Sequence, residues 1–170
     1  GYPEGISAGH VRAATDEEGR FKHKFPGAAS VLGAFNEDKS LGAIERIAGD
    51  QKEVTLALSP VATATAVIID DETGQPASER EVVAYIRIGN ESGPFILGFP
   101  ASGKTDADGH VVLRGLLVGQ KYDVNVATEY DADGNARNRR TVGKIEPKAA
   151  EELALGELRI PKPYRPPTVD

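Results

Sequence analysis

Cysteine, methionine and tryptophan are all absent from this chain of 170 residues. Without cysteine there are no disulfides, no thiol nucleophiles and no thiolate metal ligands. Without tryptophan, and with aromatic residues at only 6%, a sugar-stacking platform would have to be built from tyrosine. Tyr85 and Tyr130 are the candidates, although a lone tyrosine on a strand is more commonly a packing residue. Positive charge is in deficit as well: 20 Lys and Arg against 26 Asp and Glu leave a net charge of −6. Nucleic-acid affinity rests on clustered cations, so no nucleic-acid partner is expected. The one basic cluster, Arg137, Arg139 and Arg140, follows an acidic loop and reads as a solvated hairpin. No apolar run reaches the ~18 residues of a membrane span. Histidine is scarce too: His10, His23 and His110 show no ligand spacing, so neither a metal nor any other cofactor is expected.

What is present is a two-residue period with almost no helical signal. In RFKHKF, Arg20 to Phe25, the residues Phe21, His23 and Phe25 share one face and the cations the other, as a half-buried antiparallel strand requires. HVVLR, from His110, places Val111 and Leu113 inward in the same way. Further strands are expected at Val61 to Ile69, Glu81 to Ile88, Phe95 to Phe99, Tyr122 to Thr128, Arg140 to Ile145 and Leu153 to Ile160, separated by Gly, Pro, Asn and Asp clusters. PKAAEELAL, Pro147 to Leu155, is given one helical turn at most, because KEVTLAL, its counterpart earlier in the chain, reads as a strand. The spacing suggests a β-sandwich.

A short turn is written twice. Thr15, Asp16 and Gly19 in TDEEGRF correspond to Thr105, Asp106 and Gly109 in TDADGHV. The Asp can accept hydrogen bonds from the amides that follow it, and the Gly takes a left-handed conformation that closes a hairpin. Each copy then has a second glycine, Gly27 or Gly119, before a strand of similar apolar pattern. Each ends in a Leu-rich stretch and a proline, Pro60 or Pro161. Two small domains in tandem fit this repeat and the chain length.

IIDDETGQPASEREV followed by KTDADGHVVLRGLLVGQKYDV resembles the carboxypeptidase regulatory-like domains, a prealbumin-like (transthyretin-like) family. The matching positions are Asp70, Thr73, Gly74 and Pro76, then Thr105, Asp106, Gly109 and Val111, then Leu116 and Gly119. The chain departs from the family pattern at Val118, at Ser78 and Glu79, and at Tyr122, which comes one residue late. The resemblance implies an all-β fold, a tandem of prealbumin-like Greek-key β-sandwiches. Residues 61–160 would form a complete unit, 1–60 the C-terminal strands of an incomplete one, and 161–170 a Pro-rich linker. It also implies a noncatalytic accessory, spacer or recognition module of a larger bacterial protein, in a periplasmic or extracellular setting. Gly1 in place of an initiator Met, with no leader pattern, fits a piece of a longer chain.

Sharper chemistries find less support. DADGN, Asp131 to Asn135, looks like a calcium loop, but an EF-hand needs Gly at its sixth position and Glu at its twelfth, where this chain has Ala136 and Val142. GFPASGKT, Gly98 to Thr105, formally fits a phosphate loop, which requires a helix after it; here a strand is expected. The iron dioxygenases of the prealbumin-like fold bind metal through two Tyr and two His, and residues 61–160 contain only His110. A Lys–Asn self-link of the pilus type needs a Lys on the first strand, and Val61 to Ile69 has none. The expected partners are therefore neighbouring domains of the same chain, and another protein or a second copy through strand edges. Carbohydrate is the alternative ligand. Some forty residues separate Val61 from Thr105 but only fourteen precede Thr15, so the first unit should lack early strands and leave edges to be covered.

Overall fold

The computed structural model describes residues 14–22, 30–87 and 95–162, with Ser30 and 95–100 described by backbone alone. The fold is all-β, with no helix among the described residues. In chain order the strands are β1 (Ser30–Phe35), β2 (Leu41–Ile47), β3 (Ser59–Pro60), β4 (Ala62–Asp70), β5 (Gln75–Pro76), β6 (Glu81–Arg87), β7 (Phe95–Lys104), β8 (His110–Leu116), β9 (Tyr122–Tyr130), β10 (Ala136–Ile145) and β11 (Glu152–Ile160).

Two sheets make the sandwich. One is ordered β10-β9-β6-β7; in the other β4 is central, with β11 on one side and β8 and β5 on the other. Alternation does the sorting. Val82, Ala84 and Ile86 of β6 and Tyr122, Val124 and Val126 of β9 face Ala62, Ala64, Ala66 and Ile68 of β4 and Val111 and Leu113 of β8 across one buried core. Three alanines in the first half of β4, Ala62, Ala64 and Ala66, leave room that the larger side chains of β6, β8 and β9 fill.

β4 and β11 pair in parallel, with Glu152 opposite Thr63 and Ile160 opposite Asp70. All other strand pairs are antiparallel. The unit therefore begins at one pole and ends at the other.

Residues 30–60 form a separate three-stranded sheet, β1-β2-β3. Val31, Phe35 and Ile44 lie against the sandwich core, and the stem of Lys39 approaches Gly115. Residues 30–60 thus rest on the sandwich at the pole where β4 begins.

Two strand expectations need correction. Residues 52–58, KEVTLAL, form no strand; only Ser59–Pro60 pairs, with β2. Apolar alternation in that segment half-buries Val54 and Leu56, yet among the described residues no neighbouring strand offers its backbone a ladder. Arg20 to Lys22 are likewise not strand; the rest of RFKHKF, including His23 and Phe25, lies outside the described residues, as do Gly27, His10, Ile88 and 163–170. By contrast PKAAEELAL contains no helix and passes directly into β11.

Tyr122 is buried at the end of the core, and its hydroxyl accepts the Leu117 N–H at 2.7 Å. Burial pushes its pKa from 10.0 to about 12, against the smaller opposing effect of that hydrogen bond. Below pH 10 Tyr122 is protonated in both folded and unfolded chains, and its contribution is complete. Between 10 and 12 only the unfolded chain ionises, so stability falls, and by pH 12 the contribution is gone. Urea midpoints from pH 9 to 12 should show the native chain losing about 2 to 3 kcal/mol more than Tyr122→Phe over this window. Parallel losses in the two proteins would rule Tyr122 out as the source.

Candidate functional site

The Asp70–Pro76 and Thr105–Gly109 motifs meet at the pole where β4 and β11 end, whereas Leu116 and Gly119 lie at the opposite pole, Leu116 facing Ala62 at the start of β4. At the first of these poles the turn after β4, the turn before β8 and the tip between β9 and β10 lie together with residues 77–80. Asp70 opens the first of them: its backbone carbonyl accepts the Gly74 N–H at 2.7 Å and its side chain the Glu72 N–H at 2.8 Å. Pro76 then pairs with Ile69 in the short strand β5. Gly74 and Gly119 both take positive φ, 70° and 78°.

The T-D-x-x-G turn has one hydrogen-bond scheme at three places. Asp106 Oδ1 accepts the N–H groups of Asp108 and His110, at 3.0 and 2.8 Å. Asp16 does the same with Glu18 and Arg20, and Asp131 with Asp133 and Asn135. In each, the glycine three residues after the Asp is left-handed: Gly19 and Gly109 at φ 77°, Gly134 at 80°. The amide of Asn135 holds the Asp131 carboxyl below its usual range. DADGN is thus a hairpin tip in which Asp131 Oδ1 is taken by the turn's own backbone and Oδ2 by the side chains of Asn135 and Arg137.

Thr105 is 2% exposed; its hydroxyl donates to the Ala77 carbonyl at 2.6 Å and accepts the Arg80 N–H at 2.8 Å. Gly109 lies against the Ile68 carbonyl and Pro76. The two motifs, about thirty residues apart, therefore lock together. Among the described residues Thr15 and Gly19 make no such contacts: Thr15 is exposed and no described residue lies near Gly19.

Beside this lock is a shallow hollow of about 370 Å³, lined by Glu79, Glu81, Lys104, Tyr130 and Gly134. Its charges are already paired. Lys104 pairs with Glu79, whose hydrogen bond raises the Lys104 pKa. Arg139 reaches Glu81 at 2.6 Å, and the Tyr130 hydroxyl accepts the Glu81 N–H at 2.9 Å. On the outward face of the same sheet, Arg87 meets Asp123 at 2.5 Å, with Asp123 only 2% exposed. These pairs could not be read from the sequence. Asp123 and Asn125 sit at outward positions of an alternating strand, which ordinarily mean solvent, and the covering cations come from β6 and β10. By register the Arg139–Glu81 pair spans Ala127, which is why that outward alanine is fully buried.

The other candidates resolve simply. Tyr85 is opposite Asp123, seven residues along β9 from Tyr130, so the two tyrosines are roughly 23 Å apart along the sheet. They cannot form one platform. GFPASGK is strand β7, and β8 follows the turn; Gly103 is needed because a Cβ there would sit 2.6 Å from the Val112 carbonyl oxygen. β4 and β11 are neighbours, as a self-link would need, but ATATAVIID and ELALGELRI contain neither Lys nor Asn. His110 is exposed. Among the described residues no group of three or more His, Cys, Asp or Glu is arranged to hold a metal ion, and no helix is long and apolar enough to cross a membrane.

No family model and no curated protein matches the chain. Among solved structures it is similar to a 9R-lipoxygenase from Cyanothece PCC8801, at 17% identity over 77% of this chain and 20% of that one, TM-score 0.41. It is also similar to an (S)-allantoin synthase, at 12% identity over 58% of this chain and 40% of that one, TM-score 0.34. A third is BcpA, the major pilin subunit of Bacillus cereus, at 14% identity over 78% of this chain and 39% of that one, TM-score 0.34. The chain spans less than half the length of these three proteins. The overlaps are distant and transfer neither activity nor ligand.

Proposed function

We propose that this chain is a noncatalytic spacer and accessory module, of the carboxypeptidase regulatory-like, prealbumin-like type, within a larger extracytoplasmic bacterial protein. The observation that carries the reading is the parallel pairing of β4 with β11. A unit whose first and last strands run side by side in the same direction takes in the chain at one pole and releases it at the other. Nine residues of strand set those poles roughly 30 Å apart. β3 leads into β4 through Val61 alone, so the preceding sheet is held close while whatever follows Ile160 is carried to the far end. The carboxylates and the lysine that line the hollow at that far pole are already paired, which suits a contact surface for a neighbouring domain better than a reaction centre.

The absence of native cysteine makes the test direct. Ser59→Cys and Lys162→Cys, both at exposed positions, are spin-labelled together and their separation is measured by pulsed electron resonance. A distance of roughly 30 Å or more is expected from the strand rise; one near 15 Å would put both ends at the same pole and remove the basis for a spacer. Specific retention on a glycan array would favour the carbohydrate-binding reading instead.

A further inference from the structure

The outward face of the sheet formed by β11, β4 and β8 is laid out in rows. Thr63 of β4 has Arg114 on one side and Glu152 on the other, Thr65 has Val112 and Ala154, and Val67 has His110 and Glu157. Residues opposite one another in a ladder share a face, and the row between the first two, Ala64 with Leu113 and Leu153, turns to the core. The third row depends on the bulge between Ala154 and Glu157, where Gly156 takes a φ of 68°. The extra residues there bring Glu157 outward and return Leu158 to the core side.

All six flanking residues are exposed, and Val112, at 42%, is the most exposed large apolar side chain among the described residues. The central strand differs: its outward residues Val61, Thr63, Thr65 and Val67 are half-buried and uncharged. On the other sheet the outward charges pair across neighbouring strands, Arg87 with Asp123 and Arg139 with Glu81. Here β4 stands between the basic side chains and the carboxylates. Glu157 holds Arg159 of its own strand at 2.7 Å, but among the described residues neither Arg114 nor Glu152 takes part in an ion pair.

A face with a neutral centre line, basic side chains along one flank and carboxylates at the same heights along the other is complementary to itself. We propose that this face joins two copies of the chain in a homodimer whose twofold axis lies over β4 and parallel to it. Rotation about that axis keeps the strand direction and exchanges the flanks. Arg114 of each copy then lies over Glu152 of the other, Val112 over Ala154 and His110 over Glu157. Residues on the axis meet themselves, and Thr63, Thr65 and Val67 carry no charge to repel. An axis across the strands would instead stack Glu152 on Glu157, so the charges select the parallel arrangement, with the two sheets nearly aligned. Strand spacing and rise make the face roughly 15 Å by 25 Å, small for a permanent interface, so the dimer is reversible. This inference uses a sheet face rather than a strand edge and is independent of the spacer reading.

Sedimentation of the intact chain between about 10 μM and about 1 mM is expected to show a monomer–dimer equilibrium. Arg114→Glu and Glu152→Arg each set like charges over one another twice, and each should weaken the dimer by about tenfold or more. An equal mixture of the two variants restores opposite charges at both contacts and should form a heterodimer within about threefold of the native affinity, as should the chain carrying both substitutions. Damage to the fold would not be repaired by mixing. A chain that stays monomeric at about 1 mM, a dimer indifferent to either charge reversal, or two variants that remain monomeric when mixed would overturn the proposal.

Discussion

Gly109→Ala is expected to destabilise the chain by about 3 kcal/mol or more, and Gly19→Ala by only about 1 kcal/mol. The two glycines occupy one position of a repeated turn and share a φ of 77°, so the cost of a Cβ in the left-handed region is common to both. The surroundings differ. A Cβ on Gly109 would sit 2.7 Å from the Ile68 carbonyl oxygen and 3.1 Å from Pro76 Cβ, whereas Gly19 has no described residue within 4 Å. The Ile68 carbonyl cannot easily retreat, since it accepts the Ala77 N–H at 2.8 Å while Ile68 donates to the Gly109 carbonyl at 2.9 Å. Relief would mean breaking the junction of β4, β5 and β8. Chemical denaturation of both variants gives the comparison; equal losses would mean that the contact with β4 does not resist displacement.

Thr105→Val should cost about 3 kcal/mol, because an isosteric side chain leaves the buried Ala77 carbonyl and Arg80 N–H without their partner. Thr105→Ser, which keeps the hydroxyl and removes only a methyl, should cost about 1 kcal/mol. The ordering separates hydrogen bonding from packing: if serine proved as damaging as valine, the methyl rather than the hydroxyl would be holding residues 77–80. Both variants should unfold cooperatively, since the core between β4, β6, β8 and β9 is untouched.

The repeated turn explains how far sequence reasoning reaches. T-D-x-x-G specifies its own geometry through contacts within five residues, and so it forms wherever it is written, including a third copy, Tyr130 to Gly134, that begins with Tyr instead of Thr. Whether the turn also locks the fold depends on a partner distant in sequence. Asp70 to Pro76 supplies that partner for the second copy, and among the described residues nothing supplies it for the first. Equal behaviour of the two glycines is the natural expectation from the repeat, and the structure replaces it with an asymmetry.

KEVTLAL teaches the same lesson from the other side. Its alternation matches that of β11, but a strand needs a neighbouring backbone, and among the described residues no strand pairs with it as β4 pairs with β11. Period alone fixes which side chains can share a face; it does not provide the ladder.

The sequence by itself determined the all-β class, the positions of most strands from β4 onward, and the turns, because alternation and turn chemistry are local and act over two to five residues. Only the tertiary structure decided the rest. The parallel register of β4 with β11 joins segments some ninety residues apart. The burial of Asp123 and Ala127 beneath cations from other strands inverts what outward positions normally mean. Each is a relation between distant segments, and no local pattern encodes which of several suitable neighbours a strand will meet.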